Sequence, residues 1–357
     1  MKRWPRPLRE LARCLAGDEP TDPDGLDRAA FADLAIDRHR VAPLIAASPV
    51  VSALPGPEQA RMRQSADAAA FAALAQKAET RRLLAAFDQA GCTPVLFKGW
   101  PLAERLYGSA SLRHSKDIDL HIPAAELPRA VECLEALGYA PLPGHATRFR
   151  LATAASPVLI AETNDIALID RAGNHVELHW RLTHLRGWLT LADFPDPVTT
   201  HPIDRSGVAV HVPTDQTALI YLAVHGQLHM WGRLKWLVDI ARLVERRSDG
   251  DLMADLALAS RLGAGRALRV AVGLSNVVLG SRIPPGWPAA SWLERRAIAH
   301  FCGLIAAPGG EPGRAWARMQ YHLCVMALGE GVTQRLASPR YAFWRNLRLY
   351  LAGRGMA

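Results

Sequence analysis

The run Lys116-Asp117-Ile118-Asp119-Leu120-His121-Ile122 constrains the fold more than any other stretch, because apolar and polar side chains alternate along it with a period of two. Such alternation specifies a half-buried strand: Ile118, Leu120 and Ile122 turn to a core, and Asp117, Asp119 and His121 share the opposite face. Two carboxylates on one pleated face repel each other unless a cation or a proton lies between them. An oxygen-rich site of that kind suits Mg²⁺, particularly where substrate phosphates complete its shell.

A second β unit supplies a further acid. Ile166 to Asp170 and His175 to Trp180 flank Arg171-Ala172-Gly173-Asn174, a turn-forming tetrad that predicts a β-hairpin. In its second strand Val176, Leu178 and Trp180 take one face, while His175, Glu177 and His179 take the other. Glu177 can therefore join the two aspartates, and three acids on neighbouring strands can hold two divalent ions.

Before the acidic strand, Thr93 to Phe97 is β-prone and ends at Lys98-Gly99, after which Pro101 to Tyr107 opens a helix. Glycine at a strand-to-helix turn permits close backbone approach, and a helix N-terminus favours phosphate. Lys98 adds a point charge there, and Arg113, Ser115 and Lys116 lie just ahead of the aspartates as candidate phosphate contacts.

The rest of the chain reads as helical. Leu8 to Leu15, Leu26 to Ile36 and the Ala-rich Ser65 to Ala90 carry helical periodicity, separated by turn formers at Gly17 to Gly25 and Ser52 to Pro57. Ala124 to Leu137 is an amphipathic helix closed by Gly138. From Gln216 to Ile305 five helical segments alternate with Gly and Pro breaks. The organisation expected is a helical region over residues 1–90, a mixed core over 91–212 and a helical domain over 213–357.

Composition narrows the class. Half the 357 residues are hydrophobic and 21% are charged, which excludes a disordered chain. A net charge of +8 favours an anionic partner such as a nucleotide or nucleic acid, although a solvated basic surface accounts for it equally well. Five scattered cysteines lack metal-ligand spacing and read as reduced residues of a cytoplasmic protein. No long apolar run follows the basic start, so neither a signal peptide nor a membrane span is expected.

Taken together these motifs resemble the nucleotidyltransferase superfamily of DNA polymerase β, whose pattern is a glycine turn and helix, Asp-x-Asp on a strand, and an acid on a later strand. The chain is most similar to the bacterial family NTP_transf_5 through Val95 to Gly99, Leu106-Tyr107-Gly108, Leu112 to Leu120, Val176 to Trp180, His225 to Asp239, and the early segment His39 to Leu44. The resemblance implies an α+β fold with a small mixed sheet between N-terminal helices and a C-terminal helical domain. It also implies transfer of an NMP from an NTP to an acceptor, with Asp117, Asp119 and Glu177 holding two Mg²⁺. One departure is Trp100, which stands where the superfamily usually has a second glycine or a serine.

From the helical domain, Lys235 is a candidate contact to nucleotide or substrate with Asp239 orienting it, against an exposed ion pair four residues apart on one face. His179 and His121 share the acidic faces and read as supporting residues. His225 and His229, four apart, have the spacing of a zinc pair but lack the adjoining glutamate of the protease motif. The tryptophans read as core, with base stacking by Trp100 or Trp231 as the alternative.

For the acceptor, the resemblance points to a peptide or small metabolite, since relatives occur in gene clusters for lasso peptides and polysaccharides. The rival readings are a toxin-like enzyme that modifies tRNA, supported by the basic tail from Arg335 to Arg354, and a non-catalytic module that binds nucleotide or peptide.

Overall fold

The alternation at Ile118 to Ile122 is realised as the middle of a mixed sheet, seven-stranded among the described residues, in the order Ala140–Pro141, Asp165–Ile169, His175–His179, Ile118–His121, Val95–Leu96, Ala209–Pro213, Val198–Pro202. The computed structural model describes residues 4–18, 26–142, 157–185, 188–204, 207–307, 322–326 and 329–330. In chain order the elements begin with α1 (Arg6–Ala16) and α2 (Arg28–Asp33), the latter continuing as a π-helical turn over Leu34–Arg38. The short α3 (Ala42–Ile45) and α4 (Pro49–Ser52) lead to the 34-residue α5 (Gly56–Gln89). This helix starts at Gly56, well before the periodicity at Ser65 predicts, with Pro57 in its first turn where a missing N–H does no harm.

The central elements are β1 (Val95–Leu96), α6 (Trp100–Tyr107), β2 (Ile118–His121), α7 (Leu127–Ala136), β3 (Ala140–Pro141), α8 (Pro157–Glu162), β4 (Asp165–Ile169) and β5 (His175–His179). The expected hairpin is present as β4 and β5, antiparallel. Its turn is held by the Asp170 carboxylate, which accepts from the backbone N–H groups of Ala172 and Asn174. A second hairpin, β6 (Val198–Pro202) and β7 (Ala209–Pro213), completes the sheet, with β7 parallel to β1.

Helices α9 (Asp215–Leu228), α10 (Leu234–Arg246), α11 (Asp249–Arg261), α12 (Gly265–Leu279) and α13 (Trp292–Ala306) follow. Serine caps with a reciprocating acid three residues on open α11 and α13. The mixed α+β class is therefore the observed one.

The chain divides into two compact units. One, the sheet unit, comprises the described residues of 72–110 and 115–218. Its core lies under one face of the sheet, where Ile118, Leu120, Ile122, Val176 and Leu178 pack with Leu83 and Phe87 of α5 and Leu127, Val131 and Leu134 of α7. The other, the helical unit, comprises the described residues of 1–71, 111–114 and 219–330. It is built on buried Phe31, Leu237, Leu243, Leu268 and Phe301.

Among the described residues no helix is long and apolar enough to cross a membrane. The basic tail from Arg335 to Arg354, with Trp316 and Trp344, lies outside the described residues.

Candidate active site

Strands β2 and β5 run parallel and in register, with Asp119 opposite Glu177 and His121 opposite His179. Because register partners in a sheet project to the same side, the polar face left by the apolar core positions collects these four side chains. Asp119, Glu177 and His179 each offer a ligand atom within 4.8 Å of the others. Asp117 is not part of that cluster: β2 begins at Ile118, and Asp117 occupies the bend before it, where its carbonyl accepts from the Ser115 hydroxyl at 3.1 Å.

Lys98 stands over this face, its Nζ 2.9 Å from Asp119 Oδ1. His179 Nε2 lies 3.4 Å from both Asp119 Oδ1 and Glu177 Oε2, without an aligned hydrogen bond to either. Burial pushes the Asp119 pKa up, but Lys98 and His179 outweigh it and hold the carboxyl well below its ordinary range. The approach of His179 likewise lowers Glu177. For His179 burial opposes charge, yet the two carboxylates prevail and its pKa rises to about 10. His121, buried beside the Phe97 ring, is lowered to about 4 by burial and then by His179.

The donor set tests well against a divalent cation. Two ionised carboxylates face each other across adjacent strands, and two buried atoms between them, Asp119 Oδ1 and His179 Nε2, have no aligned hydrogen bond. In the protein as it stands, Lys98 and a charged His179 supply the positive charge that such a pair requires. Hard oxygen donors of this kind suit Mg²⁺, and His179, on giving up its proton, would extend the set to softer metals.

The turn that carries Lys98 has a specific construction. Gly99 has φ +77°, a conformation that side chains rarely adopt, and it forms the N-cap of α6. Trp100 is buried, donating from its indole N–H to Thr80 Oγ1 at 3.0 Å, with Lys77 Nζ 4.8 Å from the ring centre. It therefore fixes the turn against α5, and neither it nor the fully buried Trp231 has a face open to a base.

Lys116 is exposed in the bend before β2. Arg113 and Asp239 form a buried bidentate pair in the helical unit, Nε lying 3.0 Å from both carboxylate oxygens and Nη2 3.0 Å from Oδ2. Lys235 donates to the His114 carbonyl at 3.3 Å in the same unit. His225 and His229 stack against each other and against Trp236, with ring centres 4.3 Å apart for the histidine pair.

A family model described as Uncharacterised nucleotidyltransferase, NTP_transf_5, matches residues 25–280. No curated protein matches the chain.

Proposed function

Since the chain belongs to the NTP_transf_5 family of nucleotidyltransferases, we propose that it is a Mg²⁺-dependent enzyme that moves an NMP from an NTP to a peptide or small-metabolite acceptor and releases pyrophosphate. The observation that carries this reading is the register pairing of Asp119 with Glu177, with Lys98 beside them at the end of a glycine turn.

Asp119 and Glu177, joined by Asp117 from the adjoining bend, would hold the divalent ions. Bound there, the ions would neutralise the triphosphate and lower the pKa of the attacking group. The chain's own contribution is distinct. It keeps both carboxylates ionised, so that they are ready to bind a cation. Lys98, which neutralises Asp119 in the absence of metal, is on a turn built for phosphate approach and can transfer its charge to a phosphate oxygen. Ser115 and Lys116 flank the same bend as further phosphate contacts. In this reading Arg113 acts through its pair with Asp239 and not through a phosphate.

The test is transfer of label from α-labelled NTPs, with Mg²⁺ present or chelated, across peptide, small-molecule and tRNA acceptors. Mg²⁺-dependent transfer that is abolished in Asp119→Asn and Glu177→Gln supports the proposal. Full transfer by both variants sinks it. Transfer to tRNA alone would replace the acceptor part of the reading, and tight nucleotide binding without turnover on any acceptor would favour a binding module.

A further inference from the structure

The polar face of the sheet carries two rows of register partners, and nucleotidyl transfer as proposed draws its ligands from only one. In that row Ala167, Glu177 and Asp119 lie side by side across β4, β5 and β2. In the next row stand Asp165, His179 and His121. Both rows lie within the sheet unit.

The second row is built by the same alternation as the first. Ile166 and Leu168 of β4 are buried in the core, and Asp165 and Ala167 take the opposite face, half-buried. The Trp180 N–H donates to the Asn164 carbonyl at 3.0 Å, so the pairing of β4 with β5 runs past Asp165 and His179 and makes their side chains neighbours. Side chains directly opposite on antiparallel strands have Cβ atoms about 4.5–5.5 Å apart, close enough for a carboxylate to meet an imidazole.

The two nitrogens of His179 have different surroundings. Nε2 faces the acids of the first row, 3.4 Å from both Asp119 Oδ1 and Glu177 Oε2, and is buried without an aligned hydrogen bond. The three residues each offer a ligand atom within 4.8 Å of the others. Nδ1 is left for the flanks of the ring, where the register puts His121 on one side and Asp165 on the other. Against burial, Asp119 and Glu177 raise the His179 pKa, and the charge of Asp165 raises it further. Among the described residues Asp165 forms no ion pair, so no lysine or arginine holds its carboxylate. A histidine that ligates a metal through one nitrogen commonly gives the N–H of the other to a carboxylate, which fixes the tautomer and the ring orientation.

We propose that His179 is a metal ligand through Nε2 and that Asp165 is the residue that positions it, so that the centre binds a divalent transition ion such as Mn²⁺ more tightly than Mg²⁺. The inference rests on the reading of Asp119 and Glu177 as metal ligands and names the class of ion they take. Mg²⁺ is hard and dehydrates reluctantly, so it takes the carboxylate oxygens alone. A transition ion takes an imidazole nitrogen as well, with His179 binding as the neutral ring and its proton passing to solvent. Asp165 touches no metal in this arrangement and accepts from Nδ1–H.

The experiment measures Mn²⁺ binding to the full chain by EPR, with Mg²⁺ in competition, for the wild type, Asp165→Asn, Asp165→Glu, His179→Ala and Asp119→Asn. Pulsed EPR of the bound Mn²⁺ reads whether an imidazole nitrogen is coupled to it. Coupling in the wild type that disappears in His179→Ala, with Mn²⁺ affinity falling about tenfold or more in Asp165→Asn and recovering partly in Asp165→Glu, supports the proposal. Mg²⁺ affinity should stay unchanged in Asp165→Asn: simple loss of a negative charge would weaken both ions alike, and misfolding would abolish both. Bound Mn²⁺ without imidazole coupling, coupling that survives in His179→Ala, or equal effects of Asp165→Asn on the two ions overturns the proposal and leaves Asp119 and Glu177 as ligands. Metal affinity unchanged in Asp119→Asn, or no metal binding by the wild type, overturns both readings.

Discussion

Asp119 and Glu177 face each other as register partners on parallel strands, yet their surroundings differ: the Asp119 side chain is 4% exposed and the Glu177 side chain 32%. That asymmetry separates two substitutions that remove the same kind of group.

Asp119→Asn deletes one partner of a buried ion pair, so it should lower stability by about 3–5 kcal/mol as well as ending turnover. Glu177→Gln, at a site that water still reaches, should lower stability by less than about 1 kcal/mol while transfer falls at least about a hundredfold. Urea denaturation beside the labelled-NTP assay measures both. Equal stability loss in the two variants would contradict the difference in burial.

Arg113 and Asp239 should behave as a structural pair. Asp239→Asn should destabilise the chain by about 3–5 kcal/mol, and the double change Arg113→Met with Asp239→Leu should recover most of it, because a well-packed apolar pair replaces a buried ionic one at little net penalty. A double-mutant cycle on denaturation midpoints is the check. Additive losses would mean that the two side chains do not act together.

Gly226 should tolerate no side chain. A Cβ there would lie 2.4 Å from the ring of Trp231, which is fully buried and held at φ +49°. Gly226→Ala should cost about 1–3 kcal/mol through overpacking, read as a fall in melting temperature. An unchanged midpoint would show that the Trp231 ring can move.

His39 sets a pH dependence whose sign is fixed. Burial, then Arg38 and Arg233, lower its pKa from 6.5 to about 3, so the unfolded chain binds the proton more readily than the folded one. The stability it confers is whole above pH 6.5 and is lost as pH falls toward 3. In phosphate-free buffer, wild-type stability should drop by about 2 kcal/mol more than that of His39→Asn between pH 7 and pH 5. Parallel pH profiles for the two proteins would exclude a neutral buried His39.

Much of the sheet is legible in the sequence because its signals are local. The period-two pattern at Ile118 to Ile122 reports a one-sided strand, and Arg171-Ala172-Gly173-Asn174 reports the tight turn that pairs β4 with β5, which the Asp170 carboxylate is found to hold. The position of Glu177 follows from the same alternation, but its partner does not, since the parallel pairing of β2 with β5 depends on how the whole sheet closes. His179 joins the acidic cluster for that reason. Asp117 is left in the bend because β2 begins one residue later than the alternation predicts.

The hairpin of β6 and β7 carries Thr, His and Pro on a largely exposed strand, so its hydrophobic signal is weak. Arg113 gives no local sign of its partner, since Asp239 lies on a helix far along the chain.

Trp100 is buried, and its bond to Thr80 ties the Lys98-Gly99 turn to a helix of 34 residues. Such a turn loses little conformational freedom when a ligand arrives, so more of the interaction energy remains as affinity. A phosphate bound beside Lys98, as proposed, would meet a backbone shape already set by Gly99 and by the Trp100–Thr80 bond.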